Sequence, residues 1–230
     1  MNGQKTYYSF HDIPFGNKEQ YSIPSYEAGM KFSQGEIIQI LIAMAVLTIA
    51  FSFALADDPP LAHLNEVVNN LPLSFLAIAT AFVCHEIAHK YVGQKYGYWS
   101  EFRMFPQGLL LALFLGVVIG VVFAAPGAVQ IFGNPTREET GKMAAAGPTT
   151  NLIISGISTL LFVSSIGYLH SLFFFIAYIN VFLGFFNLIP FGPLDGMKIF
   201  RWKKEAWILL IILSIALFSV LIISGNIIYQ

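Results

Sequence analysis

The sequence predicts an all-α membrane protein: a polytopic bundle of about five spanning helices, with a re-entrant, partly β segment embedded between the second and third. Three observations predict it. Of 230 residues, 56% are hydrophobic and only 11% are charged, against roughly 25% charged in an ordinary soluble domain. Five apolar stretches reach the ~20 residues that a spanning helix needs. The twelve Lys and Arg residues fall so that one orientation brings all of them to or near one side of a bilayer.

Residues 1–36 come first. Lys5, Lys18 and Lys31 balance Asp12, Glu19 and Glu27 there, and no apolar h-region marks a signal peptide. This stretch reads as a short cytoplasmic or interfacial tail, too small for a core of its own. Residues 37–230 then form the membrane domain, with spans expected at Ile37–Ala56, Leu73–Val92, Met143–Val163, Leu172–Ile189 and Ala206–Ile223. With a cytoplasmic N-terminus, the outside segments are ADDPPLAHLNEVVNNLP, IGYLHS and GNIIYQ, none holding Lys or Arg.

A sixth apolar stretch, Gly108–Ala125, is also long enough to cross. A single crossing there would carry Arg137 and Lys142 outside and invert the later basic cluster, against the positive-inside rule. It therefore reads as re-entrant, leaving on the side it enters; the alternative is a sixth spanning helix. Gly108, Gly116, Gly120 and Gly127 interrupt it, while VVIGVVF and GAVQIF are rich in β-branched residues. A half-helix leading into a β-hairpin fits that composition. Gly147-Pro148 reads as a helix start, with proline in its tolerated first turn. Trp202 and Trp207 flank the basic run KIFRWKKEAW as interfacial anchors. The single cysteine, Cys84, excludes an intrachain disulfide and reads as packing.

The chemistry lies in His85-Glu86-Ile87-Ala88-His89. Two histidines four apart share one helix face, so both imidazoles can bind one metal ion, and Glu86 beside them can act as general base. Within a span such residues are costly and mark function. A catalytic zinc usually takes a third protein ligand. His63 and His170 fall in outside loops, His11 in the tail, and Asp57 and Asp58 on the wrong side. Asp195 remains, in NLIPFGPLDG (Asn187–Gly196), where Pro190, Pro193, Gly192 and Gly196 break the helix. Alone, Asp195 would read as a solvated helix end near Lys198 and Arg201; beside the histidines it becomes the candidate ligand. Asn151 either lines the site or bonds between helices.

HEIAH on one hydrophobic segment, NLIPFGPLDG on a later one and GPTTN (Gly147–Asn151) between them resemble the site-2 protease family of intramembrane zinc metalloproteases, over roughly residues 73–201. The resemblance implies zinc held by His85, His89 and Asp195, with Glu86 as catalytic base. It implies contact with an extended substrate at Asn187, Asn151 and the strand-forming region around Ala124–Phe132, including Gly127, Ala128 and Val129. Its expected partners are transmembrane protein substrates in the lipid bilayer, cut from a cytoplasm-facing site. PDZ or CBS modules are not expected between the short cytoplasmic segments, and no nucleic-acid motif is present. A zinc transporter or a non-catalytic membrane-protein-binding relative are the alternatives; the first would need ligands along a path through the bilayer, the second would have lost Glu86 or a ligand.

Overall fold

Alternating apolar rods set the architecture. The computed structural model describes residues 30–57, 60–122 and 126–228; His11, Asp58 and Ala124–Ala125 lie outside them. Helix α1 (Gln34–Ala54) is followed by a continuous rod, Leu64–Lys95, made of α2 (Leu64–Ile78), a π-helical turn (Ala79–Val83) and α3 (Cys84–Lys95). Strand β1 (Trp99–Met104), helix α4 (Pro106–Ile119) and strand β2 (Gly127–Phe132) come next. Helices α5 (Arg137–Ser164), α6 (Tyr168–Asn187), the short α7 (Asp195–Trp202) and α8 (Lys204–Ile228) complete the chain. Helices α1, α5, α6, α8 and the rod Leu64–Lys95 are each long and apolar enough to cross a bilayer. The protein is thus an all-α polytopic membrane protein with one small sheet. When consecutive rods alternate, Gln34, Lys95, Arg137, Asn187 and Lys204 share one side.

Two element starts differ from expectation. The second rod begins at Leu64 and not near Leu73, because Leu64, Val67, Val68 and Leu71 recur at helical spacing through what reads as loop; Pro72 lies inside it. Helix α5 begins at Arg137, so Gly147-Pro148 is interior to a helix and does not start one. The cause is a capping box in TREE: Glu139 N–H donates to Thr136 Oγ1 at 3.2 Å, and Thr136 N–H donates back to the Glu139 carboxylate at 2.7 Å.

The two strands pair antiparallel, from Trp99 opposite Phe132 to Met104 opposite Gly127. Just beyond, Phe105 N–H donates to the Pro126 carbonyl at 2.9 Å. The segment between them therefore leaves and returns at one point, as a re-entrant segment must. Its helix α4 has 14 residues and rises ~21 Å, short of the ~30 Å hydrocarbon thickness. The hairpin partner of GAVQIF is WSEFRM, however, and VVIGVVF, expected as strand, begins inside α4. Close packing explains the helix: a Cβ on Gly116 would sit 2.6 Å from the Ala50 carbonyl oxygen of α1. Lipid supplies no hydrophobic drive between helices, so such small-residue contacts hold the bundle. Gly184 of α6 against Asn151 of α5 is another, with 3.2 Å between the Cβ positions.

In a Cys84→Ser background, cysteines at Gln107 and Asn134 should react with a membrane-impermeant maleimide from the same side. A cysteine at Ile166, beyond the far end of α5, should react only from the other side. Labelling of proteoliposomes of defined orientation checks this.

Candidate active site

His85 and His89 stand one turn apart on α3, directly after the π-helical turn, a local distortion that recurs at functional sites. Each ring is held by its far nitrogen. His89 Nδ1 lies 2.8 Å from the Met143 carbonyl; a carbonyl only accepts, so Nδ1 carries the proton. His85 Nδ1 lies 2.5 Å from Asn151 Oδ1. That oxygen assignment follows from the amide nitrogen of Asn151, which donates to the Ala81 carbonyl at 2.8 Å and to Asn180 Oδ1 at 3.1 Å. His85 Nδ1 therefore donates as well, and in neutral imidazoles this leaves both Nε2 atoms as lone pairs.

Those lone pairs face each other at 2.9 Å. Asp195 Oδ2 lies 3.4 Å from His85 Nε2 and 2.9 Å from His89 Nε2. Three electron-rich atoms converge, on residues less than a tenth exposed. A cation is what satisfies such a group, and two imidazoles with one carboxylate are a donor set that zinc accepts while leaving a position open. The residues present fit a zinc ion.

Asp195 gets there because the chain breaks between α6 and α7. It is the first residue of α7, and a Cβ on the next residue, Gly196, would lie 2.0 Å from the Leu188 carbonyl oxygen. Only glycine lets the start of α7 press that closely on the end of α6. Lys198 Nζ donates to Asp195 Oδ1 at 3.0 Å, so one oxygen faces the lysine and the other faces the histidines. The site thus combines the Lys198 contact with the buried ligand position that sequence reasoning weighed as alternatives.

Glu86 is buried beside the group but outside it. Its Oε2 accepts the Val129 N–H of β2 at 3.0 Å. Val129 lies opposite Phe102, whose own N–H points away from β2 and donates to Glu36 at 2.9 Å. The outward backbone groups of this pair therefore lie on opposite edges of the sheet, and the edge of β2 that is free of any strand among the described residues turns toward Glu86. Gly127 and Ala128 lie on the same strand, Ala128 exposed. Asn151 is fully buried behind His85. Asn187 sits half-buried at the end of α6, its amide nitrogen bonded to the Leu183 carbonyl at 3.0 Å.

Gly147 is a site residue that the sequence signals only as part of GPTTN. A Cβ there would lie 2.4 Å from His89 Nε2 and 2.6 Å from His85 Nε2, inside the cation position. The remaining candidates stand apart. Asp57 and His63 group with Glu66 in a separate, more exposed cluster. His170 packs against Phe162, and Cys84 is half-buried outside the group.

A helical membrane bundle in which two histidines and one aspartate converge beside a glutamate is a candidate metal centre, and the comparisons name the family. The profile of peptidase family M50 matches residues 163–210, which include Asp195. A Methanocaldococcus jannaschii protein named "Putative zinc metalloprotease MJ0611" is 39% identical over 182 residues, 77% of this chain and 89% of that protein. "Zinc metalloprotease MJ0392" of the same organism is 32% identical over 133 residues, 55% of this chain and 33% of its own length. No solved structure matches the chain. The chain belongs to the site-2 protease family of zinc metalloproteases, peptidase family M50.

Gly147→Val should leave the purified protein folded but reduce bound zinc to near background, read by atomic absorption. Asn151→Ala, which frees the His85 ring, should weaken zinc about 10–100-fold, read by competition against a chelator.

Proposed function

We propose that the protein is a zinc-dependent intramembrane endopeptidase, cutting peptide bonds within or near transmembrane segments of membrane-protein substrates. One observation carries the reading: the carboxylate next to the cation site is hydrogen-bonded to the free edge of a strand. A proton acceptor and a docking edge for extended peptide stand at the same place. An extended segment adding to β2 would gain backbone hydrogen bonds there, in the β-augmentation mode, while a helical one would hide its peptide bonds.

Zinc held by His85, His89 and Asp195 would supply Lewis-acid polarisation of the scissile carbonyl and acidify the attacking water. Glu86 takes the proton from that water and delivers it to the leaving amine nitrogen. Met143 and Asn151 keep both imidazoles in the tautomer that presents Nε2, so Asn151 acts by positioning His85. Asn187, Gly127, Ala128 and Val129 are assigned to the substrate. His85 lies about ten residues before Lys95, ~15 Å along the helix. Water and substrate reach that depth from the side where the basic residues collect, which the positive-inside rule makes cytoplasmic.

Cleavage of a single-span reporter by purified protein, wild type against Glu86→Gln, tests the reading. Wild type should cut inside the hydrophobic segment, and the variant should lose at least about 10²–10⁴-fold in rate while retaining its zinc. Equal cleavage by both would remove Glu86 from the chemistry. A cut confined to soluble flanks would remove the intramembrane assignment.

A further inference from the structure

Directly after His89 comes a charge that the proteolytic chemistry does not use. Lys90 is 1% exposed and Glu36, on α1, is 0% exposed; the two meet at 2.7 Å. A buried ion pair in a membrane bundle is costly unless its remaining hydrogen-bonding capacity is filled, so its other contacts are informative. Glu36 Oε1 accepts the Phe102 N–H at 2.9 Å. Lys90 Nζ donates to the Ser100 carbonyl at 2.6 Å and lies 4.6 Å from the Phe32 ring centroid. Two residues further along β1, the Met104 N–H donates to Gln39 Oε1 at 2.9 Å.

Positions 100, 102 and 104 are alternate residues whose backbone groups point away from β2, where a further strand would bond. Side chains from α1 and α3 bond one outward backbone group at each of the three. The sheet therefore has one edge closed by a buried ion pair and one edge facing Glu86. The coupling between the edges is short: Phe102, which Glu36 holds, lies opposite Val129, which bonds Glu86. The Phe102 ring is itself fully buried, edge-on to Phe82 of the π-helical turn at 5.5 Å between centroids.

We propose that Glu36 and Lys90 are positioning residues: their ion pair clamps β1 and, through the strand register, fixes the height of the free β2 edge relative to Glu86, so that an added peptide is presented in one register. Its consequence for cleavage rests on the endopeptidase reading; the placement of the hairpin does not.

The test is the double variant Glu36→Gln/Lys90→Met, which removes both charges together and leaves no unpaired one buried. Four quantities are compared with wild type in detergent: backbone hydrogen exchange over residues 99–104 and 127–132, exchange over α5, bound zinc, and the sites and kinetics of reporter cleavage. Hairpin exchange should rise about tenfold or more with α5 and zinc unchanged. Cuts should spread to neighbouring bonds, and kcat/KM should fall on the order of 100-fold. Unchanged hairpin exchange with a single unchanged cut overturns the proposal. Faster exchange throughout also overturns it, since the pair would then be holding the whole fold. Should the double variant not fold, Gln39→Ala removes one clamp bond and must show the same pattern at smaller size; no local change at residues 99–104 sinks the idea. If wild type cuts no reporter, the endopeptidase reading falls, and the exchange contrast alone decides the positioning claim.

Discussion

Two imidazole lone pairs and a carboxylate oxygen, held within a few ångströms of one another and away from bulk water, repel unless a cation joins them. That constraint organises this protein. Left free, either ring would rotate to put a donor between them. His85 is prevented by Asn151 and His89 by the Met143 carbonyl. The aspartate would swing to solvent if Gly196 did not seat the start of α7 against Leu188. Gly147 leaves the centre vacant of side chain where any Cβ would fill it. Each of these four residues excludes an arrangement that would relieve the repulsion without metal, so the group is preorganised for a cation.

The membrane setting explains why the supporting shell reaches so far. Asn151 is bonded to Asn180, whose amide nitrogen donates to Thr80 Oγ1 at 3.1 Å and to the Ile176 carbonyl at 2.9 Å. This ladder ties the rod Leu64–Lys95, α5 and α6 into one unit around the His85 ring. Interhelical polar bonds in bilayers average only about 0.6 kcal/mol and reach roughly 1.7, so no one of them makes the bundle. Their value lies in direction: a chain of bonded amides has one satisfied arrangement, and that arrangement aims Nε2 at the cation position.

How far the sequence reveals this depends on how local each signal is. The five spans, the HEIAH face and the GAVQIF strand are legible because each rests on composition or spacing within about twenty residues; Asp195 becomes legible only through topology, once the histidines call for a third ligand. The capping box at TREE is equally local, but GPTTN draws the helix start toward Pro148. WSEFRM is harder, since Trp99, Glu101 and Arg103 alternate with Ser100, Phe102 and Met104 and neither set is purely polar. Its strand character is fixed by α1 and α3 closing its outer edge. Gly147 is legible only as part of GPTTN, without its role, and Glu36 not at all. A glycine's constraint comes from what faces it, here two rings on another helix. Glu36 and Lys90 are 54 positions apart, with no periodicity connecting them. In position, residues 31–36 read as the end of a tail, yet they dock on α3 and β1.

The two edges of the small sheet are not alike. An open strand edge inside a membrane protein leaves N–H and C=O groups that must find partners. On β1 the partners are permanent side chains. On β2 the Val129 N–H is satisfied by the carboxylate of Glu86, the one acceptor nearby that the proposed chemistry requires for something else. A peptide strand pairing with β2 would take over that N–H and release the carboxylate. Glu86 accepts that N–H through one oxygen only and keeps its other oxygen for a proton, so strand edge and proposed base share one residue.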